Sequence, residues 1–177
     1  CSDNQLTGLD VSYNTALTAL NCSNNQLTSL DLSYINSLEY LMCHDNQITN
    51  LDLTTNINLI EIWCSSNQLT SLNLKSGNNN LITYLLISSN PNLYCVDVDD
   101  GFSEIYLNQI SVKDSHTNFS DDCDNFTPPT TWLGGFDSNW NNVSNWSAGI
   151  PDSTDDIIIS GGGNNPVINT AGAACKN

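Results

Sequence analysis

Cysteine is the residue type with the widest chemistry in this chain, and four of its seven cysteines recur at one constant spacing. They are Cys1, Cys22, Cys43 and Cys64. A thiol beside a general base can act as a nucleophile, and His44 follows Cys43 directly. If this segment is a strand, however, the two side chains point to opposite faces and cannot act as a pair. We therefore predict no catalytic residues and no enzymatic activity.

The phrase that begins at each of these cysteines is nearly the same in all four repeats. The four phrases read CSDNQLT, CSNNQLT, CHDNQIT and CSSNQLT. A fixed period of this length predicts a solenoid, in which each repeat is one coil that buries its apolar side on its neighbours. Solenoids present long open surfaces, so this architecture favours binding as the function.

A longer pattern, Leu-x-x-Leu-x-Cys-x-x-Asn-x-Leu, covers residues 17–27 and recurs with minor changes at 38–48 and 59–69. A further match at 82–90 follows a two-residue expansion. The pattern resembles the leucine-rich repeat, with cysteine where leucine is usual. Over residues 1–127 the resemblance implies a mostly β solenoid, with short parallel strands on a concave face and an extended or 3₁₀-like convex side. It also implies a bacterial secreted or cell-surface protein that recognises a protein or peptide.

One asparagine recurs in each repeat, where the chain turns away from the strand. These residues are Asn25, Asn46, Asn67 and Asn90. A buried amide must be satisfied, so we expect each to bond the backbone of adjacent coils. The series then weakens into an apolar pattern over residues 102–112 that lacks the asparagine. We expect this segment to be a C-terminal capping repeat, because the last coil has no neighbour to cover it.

The outward positions of the strands carry aromatic, methionine and leucine side chains. Alternation along the strands gives a predicted partner-binding face consisting of Tyr40, Met42, His44, Glu61, Trp63, Tyr84, Leu86 and Tyr106. Exposed clusters of this composition are typical of binding hot spots. Two alternatives stay open: the tail or a neighbouring copy covers these residues, or the chain is only a structural spacer in a larger surface protein.

The cysteines separate into a core column and a terminal group. Neighbours in an in-register parallel stack lie about 4.8 Å apart, wider than a disulfide prefers, so the column is expected to consist of free buried thiols. Cys95 and Cys123 fall in the terminal coil and the tail after it, and we predict a disulfide that closes the open end of the solenoid. Cys175 is left without a partner within this chain.

The net charge is −16, from three basic and nineteen acidic residues, which disfavours binding to nucleic acid or anionic membranes. This charge suits an extracellular or cell-surface location, which the resemblance also implies. No apolar run is long enough for membrane insertion. The chain starts within a repeat and is expected to be a fragment of a longer protein. Acidic side chains recur about once per coil, at Asp10, Asp31, Asp52 and Asp97, with Asn73 in the equivalent position of the fourth coil. No cofactor is predicted, although Asp97, Asp99 and Asp100 keep a calcium site open as an alternative.

After residue 127 the composition changes. Residues 128–131 are a Pro/Thr stretch that predicts a stiff linker, and 132–177 form a segment rich in tryptophan, asparagine and β-forming residues. This segment resembles the opening of a β-repeat module found in bacterial surface proteins, and its length implies a truncated module. Its tryptophans Trp132, Trp140 and Trp146 give a second hypothesis, a carbohydrate-binding or adhesion site.

Overall fold

Short parallel strands are the main regular elements of the computed structural model, which describes residues 1–101, 104–126, 130–131, 146 and 157–158. In chain order the strands and the helix are β1 (Ala19–Asn21), β2 (Tyr40–Met42), β3 (Asn50–Asp52), β4 (Glu61–Trp63), β5 (Ser71–Asn73), β6 (Tyr84–Leu86), β7 (Cys95–Asp97), α1 (Glu104–Ile110), β8 (Ser111–Val112), β9 (Asn118–Ser120), β10 (Thr130–Thr131) and β11 (Ile157–Ile158). Short 3₁₀ turns lie at Asn79–Leu81 and Cys123–Asn125. The predicted fold class, a mostly β solenoid of parallel strands, is confirmed.

The first sheet takes one strand from each successive coil, in the order β1-β2-β4-β6-β8. Its central residues pair in register, Leu20 with Leu41, then Ile62, then Leu85. All four are buried, and the residues on either side of each point outward. A single apolar residue between two outward ones therefore sets both the length of each strand and the face that it buries.

The second sheet runs along the opposite side of each coil, in the order β3-β5-β7-β9. Its buried row consists of Leu51, Leu72, Val96 and Phe119, each paired with the next. The hydrophobic core consists of the leucine and isoleucine side chains that the two sheets and their corners turn inward. The extended strands on this side agree with the predicted convex side.

The asparagine column joins each coil to the one before it. The Asn46 amide donates to the carbonyls of Cys43, in its own coil, and Cys22, in the preceding coil, at 3.1 and 3.0 Å. Its Oδ1 accepts the Leu27 N–H at 2.9 Å. The equivalent bonds recur at Asn25, Asn67 and Asn90. This confirms that the buried amides are satisfied by the backbone of adjacent coils.

Each repeat turns through one residue in the left-handed backbone region, directly before its ladder asparagine. These residues are Asp3, Asn24, Asp45, Ser66 and Ser89, with φ between 53° and 60°. Asparagine and aspartate tolerate this conformation better than serine does, because a short carbonyl-bearing side chain bonds locally. The last two repeats therefore hold a less suitable residue at the turn.

Replacing Ser89 by Asn is expected to raise the free energy of unfolding by about 0.5 kcal/mol, since Ser89 is exposed and its backbone is already left-handed. Denaturant unfolding of the purified variant measures the change. The same substitution at exposed Ser29, whose φ is not positive, serves as the control and should gain nothing. A Ser89→Asn variant no more stable than Ser29→Asn would contradict the strain at this turn.

The terminal coil differs from the predicted strand repeat. Residues 104–110 form helix α1, and the strand that pairs with β6 comes later, with Leu85 beside Ser111 and Leu86 beside Val112. The helix packs on the end of the stack, with Leu107 fully buried. The cap is therefore a helix followed by a strand, and not a direct continuation of the strand columns.

Asp114 ends the backbone ladder of the first sheet. In earlier coils the left-handed residue and the asparagine after it donate their N–H groups to carbonyls of the next coil, as Asn24 and Asn25 do to His44 and Asp45. In the last repeat the Asp114 carboxylate accepts the corresponding N–H groups, of Ser89 at 2.9 Å and Asn90 at 2.8 Å. One side chain thus satisfies two donors that would otherwise face the open end.

A disulfide joins Cys95, in β7, to Cys123, in the turn after β9, and confirms the predicted pairing. Residues 1–125 form one compact unit and residues 126–177 form a second. In the second unit β10 and β11 pair in parallel, and Trp146 is buried. The predicted domain boundaries at 127 and 132 stay a prediction. No helix in the described part of the chain has the length and apolar character needed to cross a membrane.

Candidate recognition surface

The outward side chains of β2, β4 and β6 form two adjacent columns. In one, Glu61 lies between Tyr40 and Tyr84 on neighbouring strands. In the other, Trp63 lies between Met42 and Leu86. With His44, which follows β2, these residues are called the aromatic surface: Tyr40, Met42, His44, Glu61, Trp63, Tyr84 and Leu86. The in-register pairing of the first sheet is what brings them together.

The rings on this surface contact one another. Trp63 packs edge-on against Tyr84 with ring centroids 5.9 Å apart, and His44 lies 6.2 Å from Trp63 at a tilted angle. Tyr40 and Tyr84 keep 36% and 38% of their surface exposed, whereas Met42, Trp63 and Leu86 are half-buried. The surface is therefore apolar, partly packed, and open at its two tyrosines.

Two polar atoms on the aromatic surface lack a hydrogen-bond partner among the described residues. They are Nδ1 of His44 and Nε1 of Trp63, both buried. The other imidazole nitrogen of His44 lies 3.9 Å from a carboxylate oxygen of Asp45. A buried polar atom without a partner costs free energy, and in native proteins such atoms call for an explanation. Since both atoms are enclosed by the protein, a bound partner would reach them only after the two side chains rotated.

Tyr106, assigned by the sequence to the same face, lies elsewhere. It belongs to α1, is half-buried, and donates its hydroxyl to the Ile82 carbonyl at 2.7 Å. Val112 stands beside Leu86 on β8 and is 46% exposed. Sequence reasoning missed Val112 because the last coil is longer than the others. No signal in the sequence located it, because the residue that pairs with Leu85 is the polar Ser111.

Cys22, Cys43 and Cys64 are buried free thiols, as predicted. Cys1 is free but exposed, so the prediction of a buried thiol is wrong at the first position of the column. Removal from water raises the pKa of Cys22 to about 11 and that of Cys64 to about 12. The same burial, with the neighbouring thiols, raises the pKa of Cys43 well above its ordinary value. Cys43 is fully buried while His44 keeps about a quarter of its side chain exposed, so the two do not form a nucleophile–base pair.

The raised thiol pKa values predict a loss of stability at alkaline pH. Above about pH 9 the unfolded chain releases thiol protons that the native chain retains, so the free energy of unfolding falls as pH rises. For Cys64 the loss is roughly 2–3 kcal/mol by about pH 11. Denaturant unfolding at stepped pH should show a shallower fall in Cys64→Ala than in the wild type. Tyrosines and lysines also titrate in this pH range, but they are the same in both proteins, so the difference between the two slopes of unfolding free energy against pH reports the Cys64 thiol. Parallel slopes would show that the pKa of Cys64 is not raised.

The recurring acidic column on the second sheet has a structural role. Each carboxylate or amide oxygen accepts a backbone N–H two residues later in the first four coils, at Asp10, Asp31, Asp52 and Asn73. These bonds lower the pKa of Asp10, chiefly through the Ser12 backbone, and that of Asp31, chiefly through the Ser33 hydroxyl. The column therefore fixes the turns that follow the second-sheet positions.

The three carboxylates proposed for calcium each have a different protein partner. Asp97 accepts the Cys123 N–H, and Asp99 accepts those of Gly77 and Asn79. Asp100 lies 3.7 Å from the Lys75 ammonium. No group of three or more ligating side chains suited to a metal is found among the described residues. Calcium binding stays a prediction, which a titration of unfolding temperature against calcium tests.

Of the three tryptophans assigned to a carbohydrate site, Trp132 and Trp140 lie outside the described residues. Trp146 is 4% exposed. A ring stacks on a sugar through an open face, which an indole this deeply buried does not offer. The carbohydrate hypothesis therefore receives no support from Trp146.

No protein-family model and no curated protein matches the chain. A similar solved structure is the functional domain of InlJ from Listeria monocytogenes, which includes a cysteine ladder. The two chains are 28% identical over 68% of this chain and 29% of that one, with a TM-score of 0.49. This chain therefore spans less than a third of the length of that structure.

Proposed function

We propose that the chain is a protein- or peptide-recognition module of an extracellular or cell-surface protein, and that it binds through the aromatic surface. The observation that carries the proposal is the contiguous group of Tyr40, Trp63 and Tyr84 with Met42 and Leu86 on the outward face of a rigid sheet. Tryptophan and tyrosine are the side chains most enriched at binding hot spots.

The supporting physical reason is that this surface leaves apolar side-chain area in contact with water. Its apolar side chains gain free energy when a partner removes them from water, at about 25 cal/mol for each Å² of apolar area. The sheet is held by ladders of backbone bonds, so little conformational freedom is lost on binding.

The extracellular location rests on the disulfide. A bridge between Cys95 and Cys123 persists in an oxidising compartment and is rare in the reducing cytosol. The excess of acidic side chains is compatible with a protein that faces saline surroundings. The partner class, protein or peptide, follows from the extended open sheet face, which fits a surface better than it fits a small molecule.

The test is affinity capture from cell-surface extracts with the intact chain and with a Tyr40→Ala/Trp63→Ala/Tyr84→Ala variant. We expect the triple variant to recover its partner at least tenfold less well, because truncating a hot-spot residue commonly costs about 2 kcal/mol or more. Thermal unfolding checks that the variant is folded.

The matched control is Tyr13→Ala/Tyr34→Ala. These tyrosines are 93% and 60% exposed and lie outside the first sheet, so the control removes exposed aromatic area elsewhere. It should recover the partner as the intact chain does. Equal recovery by the triple variant and the intact chain would sink the proposal and favour a structural spacer.

A further inference from the structure

We propose that the aromatic surface recognises a basic peptide, with a lysine or arginine side chain of the ligand held at Glu61 between Tyr40 and Tyr84. This inference rests on the proposed function and names the chemistry of its partner. It follows from the one carboxylate at the centre of an otherwise aromatic and apolar surface, together with the strongly acidic charge of the whole chain.

The first step is the geometry around Glu61. Its two cross-strand neighbours on the same face are both tyrosines, and adjacent strands lie about 4.8 Å apart. Trp63 stands two residues along the same strand and packs edge-on against Tyr84, with the ring centroids 5.9 Å apart. A cation within about 6 Å of an aromatic centroid is attracted by the ring face. A carboxylate flanked by rings therefore offers a cation both a counter-charge and π faces.

The second step is that the protein supplies no cation to this carboxylate. In the described part of the chain Glu61 has no ion pair, and both lysines there are engaged elsewhere. Lys75 donates to the Asp121 carbonyl and lies near Asp100, whereas Lys113 donates to the Thr117 carbonyl and lies over the Phe119 ring. A half-buried carboxylate beside apolar rings favours a ligand that brings the missing charge.

The third step concerns the long-range field. The chain carries a net charge of −16 and contains three basic residues in all. Such a charge attracts cationic ligands and repels anionic ones before contact, and salt screens both effects. Charge complementarity therefore favours a basic ligand over an acidic one of the same size.

The fourth step selects a peptide over a simple organic cation. Beside Glu61 lies a second column, in which Trp63 stands between Met42 and Leu86. A peptide places apolar side chains at fixed spacing from its basic side chain and can cover this column. An isolated ammonium group has no apolar part to place there. A lysine or arginine residue beside apolar residues meets both requirements.

The experiment is selection of a random dodecapeptide phage library on the intact chain, with the Tyr40→Ala/Trp63→Ala/Tyr84→Ala variant as counter-selection. We expect the selected peptides to be enriched in lysine or arginine beside apolar residues. Peptides that lack basic residues but still require the three aromatics would overturn this inference and leave the proposed function standing. If no selected peptide depended on the three aromatics while affinity capture still did, the basic-peptide inference would also fail and the proposed function would stand. If neither the peptide selection nor the affinity capture depended on the aromatics, both proposals would fail.

A selected peptide is then synthesised and titrated calorimetrically. Replacing its basic residue by norleucine or citrulline should weaken binding at least tenfold, and Glu61→Gln should weaken it about tenfold at low salt. Asp121→Asn, which removes the same charge after the second-sheet strand β9, is the matched control and should bind as the wild type does. Equal affinity of Glu61→Gln and wild type, with no salt dependence, would overturn the assignment to Glu61.

Discussion

Asn46→Ala is expected to lower the free energy of unfolding by roughly 2–4 kcal/mol, although it removes only a small polar side chain. The substitution leaves the buried Leu27 N–H without its acceptor and removes one of two amide donors from the carbonyls of Cys22 and Cys43, which keep those of Asn25 and Asn67. A buried group that loses its partner costs about 1–3 kcal/mol. The effect is large because one side chain bonds to two coils.

Chemical denaturation measures this loss, with exposed Asn50, on β3, as the control site. Asn50→Ala should change stability by less than about 0.5 kcal/mol, since surface substitutions usually fall in that range. Asn46→Asp keeps the shape of the side chain but removes the donor, so it should be as destabilising as Asn46→Ala. If Asn46→Ala lost less than about 1 kcal/mol, water would have to replace the amide, and the ladder would carry little of the stability.

Removing the disulfide is the second large effect, and we expect Cys95→Ala/Cys123→Ala to lose about 3 kcal/mol. The bridge closes a segment of 28 residues that contains α1, β8 and β9. In the unfolded chain the crosslink restricts this segment, and in the native chain it holds β9 beside β7. Without the disulfide, the turn after β9 keeps few side-chain contacts with the rest of the stack. One of them is the hydrogen bond that the Cys123 N–H donates to the Asp97 carboxylate at 3.2 Å.

Denaturant unfolding measures the loss, and hydrogen exchange shows its location. Amides of β9 should exchange faster in the double variant, whereas those of β2 and β4 should keep most of their protection. Cys1→Ser changes an exposed free thiol and should leave both quantities unchanged. If the double variant unfolded at the same denaturant concentration as the wild type, the packing of α1 and the Asp114 hydrogen bonds would be enough to stabilise the C-terminal end of the stack without the disulfide.

The periodic part of the fold could be predicted because each position repeats its chemistry. Asparagines that are one repeat apart meet equivalent backbone groups of adjacent coils. The column at Asn25, Asn46 and Asn67 therefore determined the stacking direction and the register. The aromatic neighbours Trp63 and Tyr84 followed from that register. The disulfide followed because Cys95 and Cys123 lie outside the cysteine column.

The terminal coil could not be predicted in the same way. The apolar residues over 102–112 are spaced by two and three positions, a pattern that fits a short helix as well as a strand. The residue that pairs with Leu85 is Ser111, which carries no apolar signal. Tyr106 was therefore assigned to a strand face when it belongs to a helix. The unpartnered nitrogens of His44 and Trp63 were also invisible, since they depend on packing rather than on residue type.

The corners of the coils absorb changes in chain length, while the sheets do not. The chain takes a longer path from Leu85 to Ser111 than from Leu41 to Ile62, yet both pairs are in register. The extra residues between Leu74 and Ile82 form a turn through Gly77, whose φ of +80° suits glycine. This corner is thus a natural grafting point. A foreign epitope inserted there would be displayed on a rigid scaffold while the recognition columns kept their spacing.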